Sequence, residues 1–252
     1  MVKFGGSRSA RFVGALGVAL RDLVPGAGWG FIDARGRPKA PWFSLRRVLA
    51  PLALIAIDEG LNGLDLHVLN DTGEPFEGEV TVGLFARGEL AVEEVSRTVT
   101  VAARGHATLP AGALFDGFRD VSYSHRFGPP AYDVVAAALT DTSGATVSDI
   151  VFLPSGLDRA LESDIGLAAT AERHDDGSWS LVVTTRRLAQ WVVVEVPGFR
   201  PSDSWFHLAP GARRTVALHR TDGAGGTDDG AATPAGQVRA VNALTTARIT
   251  VV

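Results

Sequence analysis

Apolar and polar positions change their rhythm once along this chain, near residue 52. Before that point a single helical pattern is found. Pro41 opens it, Trp42, Leu45, Val48 and Leu49 fall on one face, and Pro51 stops it. Arg46 and Arg47 lie off that stripe. Residues 31–33 predict a short strand, followed by a polar turn around Gly36 and Pro38.

Beyond Pro51 the period becomes two. Leu64, Leu66 and Val68 alternate with Asp65 and His67, and Val80, Val82 and Leu84 alternate in the next segment. Residues 132–139 and 147–153 continue the series, as do Val99 and Val101. Further on, residues 165–173 and 179–186 flank His174-Asp175-Asp176-Gly177, whose Asp-Gly step is a hairpin signal. Residues 191–196 are apolar on both faces, which predicts a central strand. Residues 213–219 and 247–252 supply later strands. Short strands with turn signals every 8–12 residues argue for antiparallel sandwiches.

The fold class expected is therefore mainly β. Two immunoglobulin-like antiparallel β-sandwiches (53–156 and 157–252) follow a short α/β segment (1–52), with a joint at Pro154-Ser155-Gly156. Residues 12–20 form an apolar run behind Lys3, Arg8 and Arg11. A buried strand and the hydrophobic region of a signal peptide both fit that run. It leads directly into a Pro/Gly turn, so a strand and a cytoplasmic location are expected, with secretion as the alternative.

Composition narrows the function. Hydrophobic residues make up 46% of the 252, enough for real cores. With 24 basic and 28 acidic residues the net charge is −4, which gives no pull toward nucleic acid or anionic membrane. The absence of cysteine excludes disulfides, thiolate metal sites and cysteine nucleophiles. The six histidines show no metal spacing, and no cofactor motif occurs. The Gly/Asp-rich residues 221–230 lack the ligand spacing of a calcium loop and read as a surface insertion.

Sugars stack on exposed rings. Trp42, Trp191 and Trp205 read as packing residues, whereas Trp179, just after the hairpin turn, reads as an exposed platform. The loop from Tyr123 to Pro130 is a second aromatic candidate.

Two motifs carry a family resemblance. Leu20-Arg21-Asp22-Leu23-Val24-Pro25-Gly26-Ala27-Gly28-Trp29, with Asp33, Gly36-Arg37-Pro38-Lys39 and the Trp42 helix, resembles the last strand and helix of the catalytic barrel in β-mannosidase-like enzymes of glycoside hydrolase family 2. Residues 199–211, with Ser202-Asp203-Ser204-Trp205-Phe206 and Leu208-Ala209-Pro210-Gly211 ahead of Arg214-Thr215-Val216, resemble a motif of that family's C-terminal immunoglobulin-like domain. The resemblance implies the C-terminal portion of a larger exo-acting hydrolase, with the α/β segment as a remnant of the last TIM-barrel unit. It also implies an N-terminal glycosidase chain as partner and an oligosaccharide as ligand, and the candidate sugar contacts are Asp22 and Trp29 of the first motif together with the Trp179 platform.

Retaining hydrolysis needs two carboxylates about 5–5.5 Å apart, and the family draws both from earlier barrel strands. No Asp or Glu precedes Asp22 here, so no catalytic residue is assigned and the chain alone is expected to be inactive. A sugar-facing Trp and Asn of the family's last strand stand here as Val18 and Arg21, and a further Trp as Val24. The alternative function is a non-catalytic carbohydrate-binding or protein-interaction module.

Overall fold

The computed structural model describes residues 17, 19–123, 125, 128–221 and 233–252. Most of the apolar run at 12–20, most of the Gly/Asp-rich insertion and part of the Tyr123 loop lie outside them.

Alternation becomes two facing layers in the first sandwich. β1 (Leu52–Asp58), β2 (Leu64–Asn70) and β5 (Gly105–Pro110) form one antiparallel sheet in the order β1-β2-β5. The other is ordered β4-β3-β6-β7, from β3 (Phe76–Ala86), β4 (Leu90–Val101), β6 (Val134–Asp141) and β7 (Thr146–Phe152). Leu64, Leu66 and Val68 point inward from β2 against Val80, Val82 and Leu84 of β3, all essentially solvent-free. Asp65 and His67, one position out of phase, stay half-exposed, as a period of two requires.

The second sandwich is one continuous sheet of eight strands folded over on itself. Its order is β11-β13-β9-β8-β15-β14-β10-β12. The strands are β8 (Ala168–Arg173), β9 (Trp179–Thr184), β10 (Ala189–Glu195), β11 (Phe199–Pro201), β12 (Phe206–Leu208), β13 (Arg213–Arg220), β14 (Gln237–Arg239) and β15 (Ala247–Val251). β15 joins the two layers by pairing parallel with β8 and antiparallel with β14, so this sandwich is not purely antiparallel. Its core runs from Ile165 to Ala247 and is separate from that of the first sandwich, which runs from Leu54 to Leu139.

β10 lies between β12 and β14, in the central position its double-faced apolarity predicts. Its register slips between Ala189 and Val192. Trp191 at the slip and Trp205 just before β12 both have left-handed backbones, φ 48° and 57°. Bulky residues rarely adopt that region, so surrounding bonds must hold them there. Asn242 Oδ1 accepts the Gln190 N–H (2.7 Å), and Val192 O accepts the Trp205 N–H (2.6 Å).

The helix α1 (Ala40–Val48) begins with Pro at its N-terminus, as expected. Its buried face differs from the expected one. Phe43 is the residue it buries; Trp42 and Val48 are exposed and Leu49 is 73% exposed. Apart from the half-buried Leu45 the apolar stripe faces solvent, because Arg46 and Arg47 fasten another side of the helix to the second sandwich. Ahead of α1, Ile32 makes single bridges to Arg21 (parallel) and Pro38 (antiparallel), a barely formed strand.

Candidate functional site

The turn before α1 is built around one carboxylate. Lys39 Nζ donates to Asp22 Oδ2 (2.7 Å) and to Gly28 O (2.8 Å), while the Gly30 N–H donates to Asp22 Oδ1 (2.7 Å). A Cβ at Gly28 or Gly30 would run into the Asp22 carboxylate, which explains why glycine flanks Trp29 on both sides. The bond from Lys39, then that from Gly30, lowers the Asp22 pKa below the ordinary carboxylate value. Both Asp22 oxygens are thus engaged inside the turn, and the group acts as its pin.

Trp29 stands on that pinned turn 95% exposed. Leu20, Leu23, Val24, Trp42 and Leu49 add further exposed apolar surface on the same β–turn–α unit. Isolated exposed apolar residues are ordinary, and a concentration of them on one short unit is less so.

Trp179 departs from the sequence expectation. It is 7% exposed and packs in the second core with Leu181, Phe199, Val216 and Leu218. β9 pairs it with Leu218 of β13, so the ring that follows the hairpin turns inward. It is a core residue and not a platform. Asp22 and Trp29 are neighbours in one turn; Trp179 belongs to a different body of the protein.

A cluster not foreseen from the sequence joins three parts of the chain. Arg47 of α1 donates to Asp203 Oδ1, to Ser204 O (3.1 Å) and to Trp205 O (2.7 Å). Arg46 donates to Ser202 O (2.6 Å). Asp203 Oδ2 accepts from Arg214 Nη1 (2.7 Å), and the other arm of Arg214 reaches Asp149 on β7 of the first sandwich. Arg214 also lies over the Phe206 ring, 4.4 Å from its centroid. The Ser204 hydroxyl accepts the Val194 N–H of β10 (3.1 Å).

His207 closes this cluster. Its ring packs on Trp191 at 4.5 Å between centroids, and its Nδ1 accepts the Trp191 N–H at 3.4 Å. Burial first, then the charges of Arg47 and Arg214, lowers its pKa to about 4. It is neutral at pH 7 and keeps its acceptor role. Each carboxylate here is tied to a guanidinium, which suits joining and does not suit proton transfer. The sequence signal that could have located the cluster is an Arg-Arg pair on a short helix set against a lone Asp in an aromatic motif.

Among the described residues no three His, Asp or Glu side chains gather in a way that could hold a metal, and no helix is long and apolar enough to cross a membrane.

Residues 163–242 match the family described as the Ig-fold domain of mannosidases. The whole architecture also superimposes on solved glycosidases. With a β-D-mannosidase from Dictyoglomus thermophilum the TM-score is 0.66 at 13% identity, covering 93% of this chain and 26% of that one. With the exo-chitosanase CsxA of Amycolatopsis orientalis it is 0.63 at 18% identity, covering 92% and 30%. The chain therefore spans less than a third of the length of these neighbours. No curated protein matches it by sequence. The family match shows an Ig-fold domain of the mannosidase type at residues 163–242, and the superpositions show that most of the chain shares the fold of these solved enzymes.

Proposed function

We propose that this protein is the C-terminal module of a β-mannosidase-like glycoside hydrolase, serving hydrolysis of O-glycosyl bonds by completing and bracing a barrel that carries the catalytic carboxylates. One observation carries the reading: the β–turn–α unit ahead of the sandwiches turns Leu20, Leu23, Val24, Trp29, Trp42 and Leu49 to solvent. In a (β/α)8 barrel the last unit packs on both neighbours, so such a face is what the closing unit would present.

The loop between a barrel strand and its helix lies at the catalytic end of the barrel. Trp29 sits in that loop, fully available, and is the ring we assign to contact with an oligosaccharide. Asp22 supports it by fixing the turn. The 252 residues supply no free pair of carboxylates on this unit, so hydrolysis depends on the partner barrel, carried upstream or on a separate chain.

The test is hydrolysis of a chromogenic β-mannoside by the chain alone, by a family barrel region alone and by the two together. Activity restored only on mixing, and reduced when Leu23 and Trp42 are both changed to Asp, supports the reading. Hydrolysis by the isolated chain refutes it, as does a barrel whose activity never responds to the chain.

A further inference from the structure

The turn at residues 202–205 has more bonding capacity aimed at α1 than its own sandwich needs. Its backbone presents three carbonyls, Ser202 O, Ser204 O and Trp205 O, to the guanidinium groups of Arg46 and Arg47. Asp203 adds a carboxylate that Arg47 shares with Arg214. The turn is held open for this purpose from behind. Ser202 N donates to Ala217 O (2.7 Å), the Ser202 hydroxyl accepts the Ala217 N–H (2.9 Å), and the Trp205 N–H is held by Val192 O. Trp205 keeps its left-handed backbone in this frame, a conformation that aims its carbonyl at the helix and costs energy unless over-determined.

Resting on the reading above, we propose that residues 202–205 form a receptor for the final helix of a barrel, reading an Arg-Arg pair on that helix. The second sandwich thereby sets the pose of the closing barrel unit. The ligand class is a short helix bearing two consecutive guanidinium groups. Arginine suits the turn because Nη1 serves Asp203 and Ser204 O while Nη2, held apart in the same plane, serves Trp205 O, whereas an ammonium would have to reach all three from a single nitrogen. Arg214 carries the same fastening on to Asp149, so both sandwiches and the helix are registered through one chain of charges.

This assigns a role to the Ser-Asp-Ser-Trp motif that neither the strand pattern nor the core requires. Asp203 and Trp205 are only partly buried, and the hydroxyl of Ser204 alone satisfies the buried Val194 N–H of β10. Arg46 and Arg47 are positioning residues in this scheme. They act through the helix and touch no substrate.

The experiment compares the full chain with Arg47→Ala, Arg47→Lys and Asp203→Asn, by amide hydrogen exchange and by NMR titration of His207. In Arg47→Ala, exchange across α1 should accelerate by roughly tenfold or more while β9 and β13 keep their rates. The His207 midpoint should rise from about 4, because one of the two repelling guanidinium charges is gone. Arg47→Lys should resemble Arg47→Ala in exchange, and Asp203→Asn should loosen α1 to a lesser degree.

Unchanged α1 exchange in Arg47→Ala overturns the proposal, as does wild-type behaviour of Arg47→Lys. Equal acceleration throughout the second sandwich also overturns it, since the arginine would then hold the sandwich and not the helix. No barrel or sugar is present in these measurements. A working receptor beside a failed complementation with the barrel would refute the function proposed above and leave this inference standing.

Discussion

Replacing Trp179 by Ala separates a packing role from a sugar-binding one. The side chain is 7% exposed and lies between Leu181, Phe199 and Leu218 of the second core. An indole buries about 200–250 Å², and at about 25 cal/mol per Å² this corresponds to roughly 5 kcal/mol. Alanine retains a small part of that, so a cost of about 3–5 kcal/mol is expected. A domain of this size is stable by only about 5–15 kcal/mol, so the second sandwich should lose a large share of its margin. Urea denaturation followed by far-UV circular dichroism reads this without relying on the deleted fluorophore. Trp29→Ala, at 95% exposure, is the control and should stay within about 0.5 kcal/mol. A Trp179→Ala protein with unchanged midpoint and lost oligosaccharide affinity would refute the packing argument.

Gly78 of β3 lies where a Cβ would collide with Thr140 O of the paired strand β6 and with the Phe76 ring. Gly78→Ala should therefore cost about 1–3 kcal/mol, seen as a lowered melting temperature; an unshifted transition would mean that β3 and β6 are less closely apposed. The Asp22 pin gives an acid-sensitive turn. Its pKa is lower folded than unfolded, so its contribution is complete above the unfolded value of about 3.9 and is lost as pH falls through the folded one. The Gly30 amide should hold its NMR shift down to about pH 4 and move below it, and Asp22→Asn should abolish that titration.

Long alternating strands were legible because each buries one face. β2 follows its pattern residue by residue, and the Asp-Gly hairpin lies between β8 and β9 where it is expected. Three-residue strands such as β11, β12 and β14 are too short for any period to register. The parallel β8–β15 pair depends on a chain return that no local signal encodes. Trp179 was misjudged because nearness to a turn says nothing about which face a strand residue takes. Opposite errors occurred on α1, where a periodic apolar stripe implies a buried face. The helix instead buries Phe43 and uses its polar side, Arg46 and Arg47, for attachment. A stripe largely turned to solvent and a polar side fastened down are what the proposed contact with a barrel requires.

The joint between the sandwiches bears on which function such an arrangement serves. Arg187 pairs with both Glu89 and Glu162 and also donates to Arg87 O (2.8 Å), while Arg159 holds Asp133 (2.8 Å). Leu188 N donates to Gly88 O (2.7 Å), and its side chain completes a small apolar kernel with Val134 and Leu153. Residues of both sandwiches thus share a core of their own as well as multidentate, partly shielded ion pairs, which resist salt better than exposed ones. A binding module on a tether gains by a loose joint, since reach sets its effective concentration. A brace gains by a stiff one, because reacting groups must be held to a fraction of an ångström. Stiffness continues through Asp149 and Arg214 to Asp203 and Arg47, so the orientation of α1 is set by both sandwiches at once. That continuity favours the brace over the tethered module.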